Sequence, residues 1–169
     1  MAAFGTGGGV RLGACLGAVA LLLAGRAPAP AAAQENQPKK PTYDVSVWAI
    51  RATTSNTDIS PELRPIAAEL RRQGKYTGFR LERRVAGQAA EGQTFGADLP
   101  AGFTARVTPV EREAGRVRLR IEVARREGEK DKPLLNTTVG LERGKFHLQG
   151  GWKLDSRSDD VLIIAVSAR

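Results

Sequence analysis

The chain has 169 residues, with 26 basic against 18 acidic side chains and a formal net charge of +8. Aromatic residues make up only 5% of it, which argues against a nucleic-acid partner because there is little surface on which bases could stack. It has one cysteine and one histidine, too few for a nitrogen- or sulfur-rich zinc site within one chain. We therefore predict no metal and no cofactor.

The first 33 residues have the composition of a secretory signal peptide. Arg11 precedes an apolar run, Leu12 to Ala24, and a proline-containing segment then leads to three alanines ending at Ala33. The run is shorter than the roughly 20 residues that span a bilayer, and the alanines fit a cleavage site. We expect residues 1–33 to be removed and the protein to be exported to the periplasm or outside the cell, without a stable membrane span. Retention of this segment as an anchor is the alternative.

The rest of the chain is predicted to be a flexible leader followed by one domain. Residues 34–42 are polar and contain proline, which is typical of a leader with nothing to bury. Residues 43–169 carry turn-forming residues about every 8 to 12 positions, which indicates a single β-rich domain. Because Cys15 lies in the predicted signal, this domain has to be stable without a disulfide.

The first half of the domain is predicted to contain four strands and one helix. Tyr43 to Ala52 is apolar on both faces, which favours a strand that is covered on both sides. A helix of about Pro65 to Gln73 is expected next, because proline suits a first helical position and Gly74 supplies a stop. Pro109 indicates an edge strand or a bulge. The further strands are predicted at residues 76–85, 93–99 and 103–111.

The clearest strand is the segment from Gly115 to Glu127. Its aliphatic residues fall at every second position with charged residues between them, the period of a strand with one buried and one solvent-exposed face. We therefore expect Leu119 in the core and Arg118 in solvent. The aliphatic positions are Val117, Leu119, Ile121 and Val123.

The remaining pattern completes a mainly β (α+β) fold. Residues 87–92 and 128–133 are expected to be turns or loops, and further strands are predicted at 134–141, 145–149 and 160–168, the last buried on both faces. In all, we predict seven to eight strands in a mostly antiparallel sandwich or partly open barrel, with one short helix.

Six arginines form the candidate anion-binding set. If the strands that carry them are neighbours, their guanidinium groups share one sheet face and could bind a phosphate or glycan bidentately. The simpler interpretation, which we favour, is that glutamates between them form cross-strand pairs on an exposed sheet. The set consists of Arg80, Arg84, Arg106, Arg116, Arg118 and Arg120.

Residues for catalysis are scarce. His147 alternates with Lys145 and Gln149, which predicts a surface position on the polar face of a strand. No serine lies in a recognisable nucleophile motif. Aspartates such as Asp155 and Asp160 fall in predicted turns, where they commonly stabilise the turn itself. We therefore predict no catalytic residue and no enzymatic activity.

The segment from Leu134 to Arg169 resembles the tail of secretin-type outer-membrane proteins. In that pattern a strand with paired threonines, here Thr137-Thr138, leads through a glycine-containing turn into a strand ending in two glycines, here Gly150-Gly151. A later apolar strand ends in a basic residue. The long membrane-spanning hairpin of a secretin is missing here. The whole predicted domain also resembles small exported bacterial β-domain proteins of unknown function. The secretin resemblance implies an accessory role in an envelope assembly.

Three functions follow as hypotheses. The first is an exported non-enzymatic β-domain that binds a partner protein or cell-envelope component through a sheet face or an edge strand. The second is a periplasmic module that binds an anionic small molecule or glycan on the arginine-rich face. The third is a carboxylate-dependent hydrolase, which would need two facing carboxylates, one of them with a raised pKa.

Overall fold

The computed structural model describes residues 40–113 and 115–169, so the predicted signal peptide and most of the predicted leader lie outside the described residues. The elements follow one another as β1 (Thr42–Thr53), a 3-10 segment (Pro61–Ile66), α1 (Ala67–Arg71), β2 (Gly78–Ala90), β3 (Phe95–Asp98), a 3-10 turn (Pro100–Gly102), β4 (Phe103–Glu113), β5 (Arg116–Glu127), β6 (Lys130–Glu142), β7 (Phe146–Lys153) and β8 (Val161–Ala168). No helix within the described ranges is long and apolar enough to cross a membrane.

The eight strands form two four-stranded sheets. Sheet A has the order β2-β1-β8-β7 and sheet B the order β3-β4-β5-β6, and neighbouring strands in both run antiparallel. Their facing sides enclose one core, to which Val47 and Ile164 of sheet A and Ile121 of sheet B belong. The predicted mainly β fold with one short α-helix is thus confirmed, and it takes the form of a sandwich.

The central position of β5 confirms the strongest prediction from the sequence. This strand lies between β4 and β6, and Val117, Leu119, Ile121 and Val123 are each at most 1% exposed. The arginines between them are exposed. Alternation therefore assigned the faces of this strand correctly, because a strand whose two faces meet core and solvent must segregate its side chains in this way.

The second face of sheet A is partly covered by the helical segment. Leu63, Ile66 and Leu70 pack against side chains of β1 and β8, including Ile50 and Ile163. This second apolar layer explains why β1 and β8 are apolar on both faces, as predicted. The segment is too short to be stable alone, so the packing holds it in place.

The helical segment begins at Pro61, four residues before the predicted start at Pro65. Proline inside an α-helix collides with the carbonyl group four residues earlier, but the chain forms a 3-10 turn here, with hydrogen bonds spanning three residues. The backbone then departs from helical geometry at Ile66 (φ −121°, ψ 11°), and α1 follows as a separate turn. It ends at Arg71, and Gly74 has a φ of 65°, consistent with the predicted stop.

Two strands are longer than predicted. β2 continues to Ala90, where it pairs with the start of β1, and β6 begins at Lys130, so the expected turn at 87–92 and the expected loop at 128–133 are largely strand. In the β5–β6 hairpin, charged side chains pair across the strands, with 3.3 Å between Arg126 Nε and Asp131 Oδ1. Pro109 does mark a bulge, since the β4–β5 register shifts between it and Glu111, although β4 is an inner strand.

Candidate functional site

The structure divides the six candidate arginines between the two sheets. β2 pairs with β1 in sheet A and is no neighbour of β4 or β5. The hypothesis of one shared face is therefore wrong for the two arginines on β2. Alternation assigns a residue to a face of its own strand and carries no information on which strands are adjacent. Arg106, Arg116, Arg118 and Arg120 share the outer face of sheet B, whereas Arg80 and Arg84 belong to sheet A.

Glutamates accompany the arginines on the outer face of sheet B. Arg118 Nη1 lies 3.5 Å from Glu111 Oε2, and Arg116 Nη2 lies 3.8 Å from an oxygen of Glu142. These side chains are half or more exposed, so each ion pair contributes little, about 0–1 kcal/mol. The geometry supports the interpretation of cross-strand pairs on a solvated face.

The double substitution Arg118→Glu with Arg120→Glu is expected to leave folding intact. Both side chains point to solvent, and the new repulsion between residue 118 and Glu111 costs only about 1 kcal/mol or less. Urea unfolding measures the difference from wild type. The matched control is Leu119→Glu, which buries a charge and should abolish folding. Unfolding of the double variant would contradict the assignment of faces.

A second set of charged residues joins β1, β2 and the start of β8. Arg51 Nε lies 2.8 Å from Glu82 Oε1, and its Nη1 lies 3.1 Å from Asp160 Oδ2. Arg80 also donates to Glu82. Arg51, Arg80 and Asp160 line a cavity of about 580 Å³. The carboxylates of Glu82 and Asp160 therefore lie on either side of one guanidinium group.

The charge state of Glu82 follows from these contacts. Burial alone would raise the pKa of this carboxyl group, but hydrogen bonds from Arg80 and Arg51 outweigh burial, and the pKa lies below its ordinary value of 4.5. The same contacts raise the pKa of Arg51 against the effect of its burial. A carboxylate held in its ionised form cannot act as the protonated acid of a hydrolase.

Replacing Glu82 by glutamine is expected to reduce stability at neutral pH and to change its pH dependence. Because the folded-state pKa of Glu82 is depressed, the folded protein binds fewer protons at this residue than the unfolded chain does. The stability that the ionised Glu82 contributes is therefore present above about pH 4.5 and is lost as the pH falls through the folded-state pKa. We expect a loss of about 1–3 kcal/mol at pH 7, shrinking towards pH 3, measured by urea unfolding. The control is Glu129→Gln in an exposed turn; an equal pH dependence in wild type and Glu82→Gln would contradict the prediction.

His147 does not occupy the predicted surface position. It is half-buried, and its Nε2 atom is enclosed with no hydrogen-bond partner among the residues that the structure describes. Burial lowers the pKa of this imidazole, while hydrogen bonding to Gln149 acts in the opposite direction. The residue pairs in register with Val166, whose side chain belongs to the core between the sheets. Within residues 40–113 and 115–169, no group of three His, Cys, Asp or Glu side chains is placed to hold a metal ion.

A concave feature lies on sheet A, where the helical segment leaves the outer face uncovered. It is a groove of about 790 Å³, which we name the sheet A groove. Its floor is low because small residues lie next to one another across three strands: Ser46 pairs in register with Ala86 on one side and Ser167 on the other. Among its lining residues are Asp44, Ser46, Trp48, Arg84, Phe146 and Ser167.

Trp48 organises one wall of the sheet A groove. Its Nε1 donates a hydrogen bond of 2.8 Å to Ser46 Oγ, and its ring centroid lies 4.6 Å from that of Phe146. The guanidinium carbon of Arg84 lies 5.1 Å from the centroid of the Trp48 ring, a cation–π contact. The three side chains come from β1, β2 and β7, so sheet pairing sets their positions.

Sequence reasoning selected Arg84 only as one of six arginines on an assumed shared face, and it missed Ser46 and Ser167. Ser167 is the one polar residue within β8 and is only 8% exposed. That contrast was a usable signal, because a buried hydroxyl needs a hydrogen-bond partner or contact with solvent. The adjacency of Ser46 and Ser167 across β1 and β8 required the register.

Comparison with known proteins finds weak similarity among solved structures only. No family model and no curated protein sequence matches the chain. Among solved structures, it is similar to the InvG secretin domain β-barrel from the Salmonella SPI-1 injectisome NC-base, with a TM-score of 0.36 and 12% sequence identity. The matched region covers 77% of this chain and 63% of that one, so the chain spans less than two thirds of that neighbour's length.

Proposed function

We propose that the protein is an exported, non-enzymatic β-sandwich domain that binds a partner protein or a cell-envelope component through the sheet A groove, in an accessory role within an envelope assembly. One observation carries the proposal: the outer face of sheet A is covered by the helical segment over one half only, and the other half forms a groove of about 790 Å³. That volume falls in the range of ligand-binding clefts.

The composition of the groove supports binding. Arg84 is exposed and is of a residue type that contributes often to binding energy at interfaces. The ring of Trp48, which is itself only 5% exposed, holds the guanidinium group in place before a partner arrives. Pre-ordered side chains lose less conformational entropy on association. The small residues of the floor, Ser46 and Ala86, leave room for a partner's side chains.

The two alternative functions have less support. An anionic ligand on the outer face of sheet B would compete with the glutamates that already contact Arg116 and Arg118. A carboxylate-dependent hydrolase would need a carboxyl group that stays protonated, whereas the pKa of Glu82, beside Arg51 and Asp160, is shifted downward. Non-enzymatic binding through a sheet face accounts for the geometry without these requirements.

Export is the part of the proposal that rests on residues 1–33. Expression of the full chain with a C-terminal tag in a bacterial host, followed by fractionation and N-terminal sequencing, tests it directly. We expect a periplasmic or secreted product that begins at Gln34. A cytoplasmic product that retains Met1 would contradict export.

Site-specific crosslinking tests the groove as the binding site. A photo-crosslinking amino acid placed at Ala86, which is exposed in the groove, should yield a discrete adduct in cells of the native organism. The matched control is the same amino acid at Thr138, an exposed residue on the outer face of sheet B. Adducts from Thr138 but not from Ala86 would move the binding site to sheet B and overturn the proposal.

A further inference from the structure

Arg84 lines the sheet A groove and forms no ion pair with a carboxylate of the described residues. By contrast, Arg51, Arg80, Arg116 and Arg118 each form at least one ion pair. The guanidinium group of Arg84 is stacked over the ring of Trp48, at 5.1 Å. Stacking engages the face of a guanidinium group and leaves the N–H donors in its plane available to an acceptor.

Two serine hydroxyl groups line the same groove as this guanidinium group. Ser46 Oγ accepts the hydrogen bond from Trp48 Nε1, so its own proton is free to be donated to another group. Ser167 is the register partner of Ser46 on β8 and lines the same groove. Arg84 and the two serines thus present a guanidinium group and two hydroxyl donors, the groups from which carboxylates and phosphates accept hydrogen bonds.

We propose that the sheet A groove is a binding site for a single oxyanion, a carboxylate or a phosphate, held by Arg84 together with the hydroxyl groups of Ser46 and Ser167. This inference rests on the proposed function for the groove as a whole and names the chemistry that the partner presents there. Arg84 provides bidentate donors, and the serines fix the depth of the anion at the floor.

The other charges of the groove restrict the ligand to one such group. Asp44, Glu62 and a second cation, Arg169, also line it, so its cationic and carboxylate side chains are equal in number. Asp44 is already engaged, since Gln88 Nε2 donates to its Oδ1 over 3.0 Å. Two carboxylates in the same groove repel a run of negative charges. A polyanion such as a nucleic acid or a sulfated glycan therefore does not fit, whereas an isolated carboxylate or phosphate near Arg84 does.

The two tryptophans make the test specific. The indole N–H signals of Trp48 and Trp152 are observed by NMR in ¹⁵N-labelled, purified protein and are assigned with the variant Trp152→Phe. The protein is then titrated with sodium phosphate or sodium acetate. Sodium chloride at equal ionic strength is the control. We expect a saturable shift of the Trp48 signal with one or both oxyanions, and none of the Trp152 signal. Saturation by phosphate alone identifies a phosphate-bearing ligand, and saturation by acetate identifies a carboxylate.

Matched variants decide whether Arg84 is responsible. Arg84→Met retains an unbranched stem over Trp48 without the charge and should weaken binding about tenfold or more, as expected for loss of a charge-assisted hydrogen bond. Arg106→Met, on sheet B, should bind as wild type does. No saturable shift, or an equal affinity in Arg84→Met, overturns the inference. Heparin serves as a polyanionic probe in the same titration. If heparin binds, if Arg106→Met weakens that binding, and if phosphate and acetate leave the Trp48 signal unshifted, the inference is also overturned.

The result can be separated from that of the crosslinking experiment. Crosslinks from Ala86 that persist in Arg84→Met mean that a partner occupies the groove without using an oxyanion, so that this inference fails and the proposed function stands. If phosphate or acetate binds in an Arg84-dependent manner but Ala86 yields no crosslinks, the oxyanion site stands and the proposed binding of a partner through the groove fails.

Discussion

Replacing Leu119 by alanine is expected to lower the free energy of unfolding by about 2–5 kcal/mol. Leu119 is 0% exposed and belongs to the core between the two sheets. It lies on the strand with partners on both sides, opposite Pro109 on β4 and Val139 on β6. Strand pairing on both sides limits how far the backbone can move to fill the cavity, which places the cost well within this range. Urea unfolding followed by circular dichroism provides the measurement.

The neighbouring residue provides the control. Arg118→Ala removes a side chain that is 49% exposed and that forms one long ion pair with Glu111, so it should change stability by about 1 kcal/mol or less. The two substitutions differ by one position and lie on opposite faces of β5. A loss for Arg118→Ala as large as that for Leu119→Ala would show that the faces of the strand are not segregated as the sandwich requires.

Those parts of the fold that depend on one strand at a time were predictable. The alternation around Leu119 assigned both faces of β5, and the doubly apolar sequences of β1 and β8 indicated a covering layer on each side. These patterns are local, because each residue's burial depends on which way its own side chain points. The count of seven to eight strands followed from turn-forming residues in the same way.

Features that depend on pairing were not predictable. The strand ends at Ala90 and Lys130 are held by pairing with β1 and β5, which outweighs the glycine and charge content that suggested loops. Pro65 was predicted to start the helix because the α-helical rule against interior proline was applied to a segment that forms a 3-10 turn. Tertiary packing of Leu63 and Ile66 stabilises that turn.

The candidate site shows the same division. Arg84 was identifiable as an arginine at an alternating position, but the sequence pattern grouped it with Arg106 and Arg118, which belong to the other sheet. The groove depends on Ser46, Ala86 and Ser167 meeting across three strands that are far apart in the chain. A concave surface built from non-local register leaves no periodic signal in any one segment.

Gly150→Ala is expected to destabilise the protein by about 2–3 kcal/mol, as overpacking of a rigid region does. A Cβ atom at this position would lie 2.5 Å from the carbonyl oxygen of Leu162 and 2.6 Å from the Cα atom of Ile163. Both atoms are backbone of β8, the buried strand to which β7 is paired, so they cannot move aside cheaply. The register of β7 and β8 shifts just beyond Gly150, before Trp152, so the close approach adjoins a bulge.

Gly140→Ala on β6 is the matched control. It too lies in a strand, but a Cβ atom there would meet nothing within 4 Å, and its φ is outside the left-handed region. The same substitution should therefore change stability by only about 0.5 kcal/mol, with a small gain possible because alanine restricts the unfolded chain. Thermal and urea unfolding of both variants measure the contrast. If Gly150→Ala were as stable as Gly140→Ala, β7 could not approach β8 so closely at this bulge. The position of Phe146 beside Trp48 in the sheet A groove depends on the same strand pairing and would then be wrong as well.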